Sequence, residues 1–172
     1  MSHLLRKAVI PCMLLALLAV SSGANASGKT RTIRPDVELV VTVAATGLGG
    51  LFESVTDRGE RLRLLRAFVA ASRFFPEKNG YFFVYDLQGV CVAHGSNPAL
   101  IGRTLIDYED EKGFPVIRAI VDAGQAGGGF LEYLWDKPDA TGTHEKLGYV
   151  MPIPGTDFII GSGLYISEIT GD

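Results

Sequence analysis

Two aromatic residues with polar tips share one face of a predicted strand. Side chains alternate between the faces of a strand, so in residues 130–135 Leu131, Tyr133 and Trp135 lie on the same side. Tyr and Trp together offer apolar contact and hydrogen-bond donors, as the wall of a small-molecule pocket does. The same pattern is typical of ordinary core packing, and the sequence alone leaves both interpretations open.

A lysine and a tyrosine three positions apart, Lys146 and Tyr149, lie in the next predicted strand. A regular strand places such residues on opposite faces, so either a bulge re-aims one of them or only one faces the pocket. A buried lysine needs an anionic partner. That partner is either a bound carboxylate or a structural acid such as Asp86 or Asp110.

An aromatic run over residues 81–86 alternates Tyr81, Phe83 and Tyr85 with other apolar side chains. A strand that is apolar on both faces is expected to be covered on both sides. One side would meet the helices and the other the pocket. The alternation alone does not say which.

Two further side chains near a predicted loop, His94 and Arg103, could serve a ligand. His94 could hydrogen-bond a ligand, ligate a metal or tie down the loop, and a lone histidine is most often structural. Arg103 could form a bidentate pair with a carboxylate, or remain an exposed loop residue.

Three motifs that would indicate other chemistry are incomplete. Cys91 and His94 have the spacing of half a haem-attachment motif, but the second cysteine is missing. Residues 107–113 lack the spacing and the terminal Glu of a calcium loop. Ser162 lies directly between two glycines, unlike the serine of a nucleophile elbow. With neither paired carboxylates beside a histidine nor a zinc pattern, we predict a protein that is not an enzyme and has no cofactor or metal.

The N-terminus has the composition of an export signal. Arg6 and Lys7 precede an apolar run over residues 8–20, which is shorter than the about 20 residues of a membrane span. Small residues at 24–26 predict cleavage after Ala26. We expect a periplasmic or secreted protein without a membrane span once residues 1–26 are removed; an uncleaved signal anchor is the alternative.

Removal of this leader leaves 14 basic residues against 19 acidic ones, a net charge of about −5. A mildly acidic surface argues against binding to nucleic acid or to anionic lipid. Cys91 would be the one remaining cysteine, so an intramolecular disulfide is not expected. The remaining length suits one domain with its own core.

The mature chain is predicted to begin with a linker over residues 27–35 and then two helices. Asp36 could cap the first helix, which we expect to kink or stop at the glycines of 47–50, because glycine weakens a helix interior. Apolar residues at helical spacing predict a second helix over residues 64–75. Three arginines lie on another side of it: Arg63, Arg66 and Arg73.

Five strands are predicted after these helices, over residues 81–86, 90–94, 130–135, 145–151 and 157–165. A long loop at 95–113 and a short helix at 114–123 separate the first two from the last three. Helices followed by strands predict an α+β fold in which N-terminal helices pack on an antiparallel sheet.

The order of these segments resembles the single Cache domains that sense small molecules outside bacterial cells. The matching stretches are residues 80–86, His94 with 97–103, Asp107, Asp110 and Gly113, then 129–135, 137–138, 146–150 and 160–165. The resemblance covers about residues 62–167. It implies one Cache domain over residues 36–172, with a five- to six-stranded, PAS-like antiparallel sheet.

The resemblance also implies a function: non-catalytic binding of a small carboxylate, amino acid or similar metabolite. The candidate ligand-binding residues are Phe83, Tyr85, His94, Arg103, Tyr133, Trp135, Lys146 and Tyr149. No kinase or methyl-accepting region follows Tyr165, so we expect a separate membrane receptor or sensor kinase to read the ligand state. The alternative is a structural or interaction protein whose pocket is filled by its own side chains, with the three arginines as its working surface.

Overall fold

The structure is a computed structural model that describes residues 23–75 and 78–167. The predicted leader lies largely outside these residues, so its cleavage after Ala26 stays a prediction. The described elements follow in the order α1 (Gly23–Glu53), α2 (Arg58–Ala71), β1 (Phe83–Asp86), β2 (Cys91–His94), α3 (Val116–Gln125), β3 (Gly129–Asp136), β4 (Thr143–Pro152) and β5 (Phe158–Tyr165).

Helix α1 is longer than predicted at its N-terminal end. Residues 27–35 are helical, so the expectation of an irregular linker is wrong, and Asp36 lies inside the helix rather than at its cap. Extending an existing helix costs far less free energy than starting one. The packed part of α1 can therefore carry this polar segment, which has no apolar periodicity of its own.

The same helix passes through residues 47–50 without the expected break. Its buried stripe at helical spacing explains this, because tertiary packing outweighs glycine's low propensity. That stripe consists of Val37, Val41, Ala45, Leu48 and Phe52. Gly49 also has a packing role, since a Cβ there would lie 2.9 Å from Cδ of Pro154.

Helix α2 begins at a capping residue and ends earlier than predicted. Oδ1 of Asp57 accepts a hydrogen bond from the Glu60 amide at 2.7 Å, which satisfies one of the free amides of the first turn. The helix ends at Ala71 rather than near residue 75, and the Ser72 amide and hydroxyl both donate to the Phe68 carbonyl. The amide bond is the last of the helix, and the hydroxyl bond to the same carbonyl competes with another helical turn.

The five strands form one antiparallel sheet in the order β2-β1-β5-β4-β3. The predicted hairpin is β1–β2, and the predicted meander is β3–β4–β5. The α+β class is therefore confirmed, with five strands in the sheet.

Each face of the sheet is covered by different elements. Helix α1 lies against β4 and β5 on one face, and α2 lies there against β2. Helix α3 covers the other face with residues of the loop that precedes it. We call this second side of the sheet the α3 face.

Residues Arg34–Glu53 of α1 are long and apolar enough to span a membrane by length and composition, and 39% of that window is buried. Packing on the sheet buries one side of this segment, whereas Leu39, Val43 and Leu51 on it are exposed.

Candidate ligand-binding site

A small buried cavity lies on the α3 face. Its volume is about 10 Å³, about what one water molecule requires. The lining residues are Phe83, Tyr85, His94, Ile117, Ile120, Tyr133, Trp135 and Lys146. Six of the eight predicted ligand-binding residues thus meet in one place.

Strand register brings these residues together. Tyr133 pairs with Lys146 across β3 and β4, and Lys146 pairs in turn with Tyr165 of β5. Phe83 of β1 pairs with His94 of β2. Paired residues project to the same face of a sheet, so residues far apart in the chain converge on the cavity.

Lys146 is the cationic centre of the site. Only 1% of its surface is exposed, and its Nζ donates to the Tyr81 hydroxyl at 2.7 Å. The ammonium also lies 4.1 Å from the ring centroid of Tyr81 and 5.1 Å from that of Tyr165, within cation–π range. Within residues 23–75 and 78–167, no carboxylate forms an ion pair with Lys146.

The structural partners considered for Lys146 are engaged elsewhere. Oδ1 of Asp86 accepts from the amides of Gln88 and Val90 in the β1–β2 turn. The Asp110 carboxylate accepts from backbone amides of residues 112, 114 and 134. A structural ion pair between Lys146 and either acid is therefore not what the structure contains.

A directed chain of hydrogen bonds leads away from Lys146. Tyr165 donates its hydroxyl proton to the Asp136 carbonyl at 2.5 Å, so it can only accept from Tyr81, whose hydroxyl lies 3.2 Å away. Burial raises the pKa of Tyr81, but the charge and hydrogen bond of Lys146, together with the hydrogen bonds that Tyr81 shares with Ser96 and Tyr165, outweigh burial and lower that pKa. The cation is thus stabilised by polarised phenols rather than by an acid.

His94 contributes a neutral ring. Its Nδ1 accepts from the Asn97 amide at 3.0 Å, so the neutral imidazole carries its proton on Nε2. Burial, followed by the charges of Lys146 and Arg73, lowers the pKa of His94 to about 3. His94 therefore offers a neutral donor, and it is too weak a base to take up a proton near pH 7.

Two tyrosines add hydroxyl groups to the lining. The buried Tyr85 hydroxyl has no hydrogen-bond partner in the described part of the chain. Burial, ahead of neighbouring Cys91, raises the pKa of Tyr85 well above its ordinary value, and burial does the same for Tyr133. Both phenols stay protonated and can act as donors.

Tyr149 and Arg103 do not reach this cavity. Strand β4 pairs in regular register through residues 146–150, so no bulge re-aims Tyr149, which packs against Phe130 on the opposite face. Arg103 is exposed; its carbonyl accepts from the Cys91 amide and ties the loop to β2. Neither residue lines the cavity, although both were predicted to bind the ligand.

The predicted arginine surface is also not free. Arg63 forms an ion pair with Glu60 on its own helix. Arg66 donates to the Val92 carbonyl at 2.9 Å, and Arg73 donates to the carbonyls of Ser72 and Gly95. Two of the three arginines therefore tie α2 and the chain after it to β2 and the start of the loop.

Sequence reasoning missed Tyr165 and the glycines of the α3 face. A Cβ on Gly148 would lie 3.1 Å from the Tyr133 ring, and one on Gly161 would lie 2.5 Å from Cζ of Phe83. The signal was present as glycines inside predicted strands, which often mark a close approach of another group.

Within the described residues, no group of three or more His, Cys, Asp or Glu side chains could hold a metal ion.

The sequence of this chain matches the profile of one protein family. The profile of the family described as single Cache domain 2 matches residues 53–172, more than half of the chain.

Three curated proteins are similar to this chain. The sensor histidine kinase MctS of Rhizobium johnstonii is 33% identical over 92 residues, 54% of this chain and 20% of that protein. The methyl-accepting chemotaxis protein McpP of Pseudomonas putida is 31% identical over 97 residues, 56% of this chain and 18% of its own length. The methyl-accepting chemotaxis protein CtpM of Pseudomonas aeruginosa is 26% identical over 183 residues, which cover 98% of this chain and 32% of that protein. The chain thus spans a third or less of each relative's length.

Solved structures agree with the fold. A methyl-accepting chemotaxis protein from Vibrio parahaemolyticus has a TM-score of 0.73 at 32% identity, and the match covers 84% of this chain and 95% of that one. A Cache chemosensory domain described for carboxylic acid recognition has a TM-score of 0.72 at 26% identity, and the match covers 81% of this chain and 97% of that domain.

Proposed function

This chain belongs to the single Cache domain family, and on that premise we propose that it binds a small carboxylate in the cavity around Lys146, without catalysis. The observation that carries the proposal is the buried ammonium of Lys146, which no carboxylate of the described residues neutralises. A buried charge is costly unless it is paired. A ligand carboxylate would supply the missing anion.

The neutral donors around Lys146 fit the same ligand. His94, which carries its proton on Nε2, and Tyr85 line the cavity, and the Tyr85 hydroxyl has no protein partner among the described residues. Carboxylate oxygens are strong acceptors, and hydrogen bonds to a charged group are the stronger kind. The similar Cache chemosensory domain described for carboxylic acid recognition supports the assignment.

The lining also favours a particular size and charge of ligand. A cavity of about 10 Å³ can hold only a short molecule, and only if the residues that cover it move outward. None of the eight lining residues is an acid, so the ammonium group of an amino acid would find no counter-charge there. We therefore favour short carboxylates without an amino group over amino acids.

The relatives support a role in signalling outside the cytoplasm. They are a sensor histidine kinase and two methyl-accepting chemotaxis proteins. We propose that a receptor or kinase of these classes reads the ligand state of this domain, and that the domain works in the periplasm or outside the cell.

The small cavity volume favours one alternative. If the side chains around Lys146 simply fill the site, the domain would be a structural or interaction module that binds no small molecule. The arginine surface first considered for that role is already engaged with Glu60 and backbone carbonyls.

A thermal-shift screen that pairs each acid with its neutral amide tests the proposal. Acetate, propionate and butyrate are compared with acetamide, propionamide and butyramide. A ligand at 100 times its Kd stabilises the folded state by about 2.7 kcal/mol, which raises Tm by several degrees. We expect a shift from at least one acid and none from its amide. Equal shifts within every pair, or none from a broad acid panel, would favour the alternative.

A further inference from the structure

Residues 95–113, which we call the lid segment, lie on the α3 face and pack beside residues that line the cavity. The Tyr108 ring stands edge-on to the Trp135 ring, with centroids 5.4 Å apart. Leu100, Ile101, Leu105 and Ile106 pack against the same apolar cluster. Ile117 and Ile120 of α3 line the cavity directly, and the lid segment packs in the same cluster as these two residues.

Backbone hydrogen bonds hold the lid segment at the β2 edge of the sheet. The Cys91 amide donates to the Arg103 carbonyl at 2.9 Å, and the Gly102 amide donates to the Cys91 carbonyl at 2.7 Å. The Leu105 amide also donates to the Gly89 carbonyl at 2.9 Å. Residues 102–105 of the lid segment are therefore hydrogen-bonded to the edge of β2 in the way that a neighbouring strand would be.

At the opposite edge, the Asp110 carboxylate joins the lid segment to the backbone of β3. Oδ2 of Asp110 accepts from the Leu134 amide of edge strand β3 at 2.9 Å. Its Oδ1 accepts from the amides of Lys112 and Phe114, at 2.9 and 3.0 Å. One carboxylate thus folds the end of the lid segment and joins it to the strand that carries Tyr133 and Trp135.

A second contact at this edge is weaker in kind. Nζ of Lys112 lies 2.7 Å from Oε1 of Glu145, but both side chains are more than half exposed. Exposed ion pairs contribute little to stability, and salt screens them. The three partly buried backbone bonds of Asp110 are therefore the stronger attachment.

We propose that Asp110 is a positioning residue whose carboxylate anchors the lid segment to β3, and that release of this anchor opens the cavity. The consequence for ligand exchange rests on the function proposed above, whereas the anchoring itself does not. Asp110 would thereby set how fast a carboxylate enters and leaves without touching it.

The test uses Trp135, the chain's one tryptophan, as a reporter that needs no ligand. Asparagine at position 110 keeps one acceptor oxygen, but its NH₂ group replaces the other. That NH₂ group then faces a backbone amide of Leu134 or of residues 112–114, from which it cannot accept a hydrogen bond. We expect Asp110→Asn to raise the acrylamide quenching constant of Trp135 about two-fold or more, with an unchanged far-UV spectrum. The matched control is Asp107→Asn in the same segment, where an exposed carboxylate pairs with Arg118. Equal quenching in the two folded variants would overturn the proposal.

Amide hydrogen exchange of the wild-type chain covers the case in which Asp110→Asn does not fold. Opening of the anchor predicts that the Leu134 amide exchanges through a local event, faster than the Ile160 amide of central strand β5. Exchange of Leu134 only through global unfolding would contradict the proposal. If carboxylate binding is found, Asp110→Asn should also raise both the association and the dissociation rate.

Discussion

The ammonium nitrogen of Lys146 lies 2.7 Å from the hydroxyl oxygen of Tyr81, inside a layer where both side chains are 1% exposed. Three aromatic rings lie within cation–π range of the same nitrogen: those of Tyr81, Phe83 and Tyr165. Such an environment holds a cation in the core without an acid, and it leaves the cation available to an incoming anion.

The two kinds of buried tyrosine should respond oppositely to loss of their hydroxyl. Tyr85→Phe removes a buried group that lacks a partner in the described chain, so we expect the free energy of unfolding to stay unchanged or rise by about 1 kcal/mol. Tyr165→Phe breaks the bond to Asp136 and leaves the Tyr81 hydroxyl without its acceptor, which should cost about 1–3 kcal/mol. Urea denaturation measures both variants, and equal losses would contradict this account.

Acid should destabilise the fold through His94. Its pKa is lowered from about 6.5 in the unfolded chain to about 3 in the folded one, so the unfolded state binds more protons between these values. The stabilisation is complete above pH 6.5 and is lost as the pH falls toward 3. By pH 5 the loss should reach about 2 kcal/mol relative to pH 7.

The variant His94→Asn isolates this contribution, because an asparagine oxygen can still accept from the Asn97 amide. Denaturation curves at pH 7 and pH 5 give the comparison. The wild type should lose more stability than the variant over this interval; parallel losses would mean that His94 is not the titrating group.

Gly161 makes room for the aromatic wall of the cavity. A Cβ there would lie 2.5 Å from Cζ of Phe83 and 2.6 Å from Cγ1 of Val150. We therefore expect Gly161→Ala to cost about 1–3 kcal/mol by overpacking. The control is Gly47→Ala in α1, where a Cβ has nothing within 4 Å and alanine should gain up to about 1 kcal/mol. Thermal unfolding that showed the same sign for both would refute the packing argument.

Strand alternation predicted much of the site. It placed Tyr133 and Trp135 on one face, but it left open whether Lys146 and Tyr149 share a face; the regular pairing of β4 places these two on opposite faces. Strand alternation could not predict the hydrogen bond between Tyr81 and Tyr165, because 84 positions separate them and only the order of the strands brings them together.

Helix α1 shows the limit of local propensity. The glycines at 47–50 predicted a break in the helix. The helix is nevertheless continuous, because Leu48 and Phe52 are buried in the core between α1 and the sheet. Whether packing will override propensity depends on what lies opposite each residue, and that requires the tertiary fold. Asp110 is similar: its link to Leu134 joins an irregular segment to a strand edge, and no periodicity signals it.

Titration calorimetry of a short carboxylate against three forms of the protein measures what Lys146 contributes to ligand binding. The forms are the wild type, Lys146→Met, and the matched control Lys112→Met, which removes an exposed lysine paired with Glu145. We expect the wild type and Lys112→Met to bind with similar Kd, and Lys146→Met to lose at least about 100-fold in affinity, because truncating a buried charge partner costs about 2–5 kcal/mol. Binding of the carboxylate by folded Lys146→Met with wild-type affinity would contradict the claim that Lys146 holds the ligand.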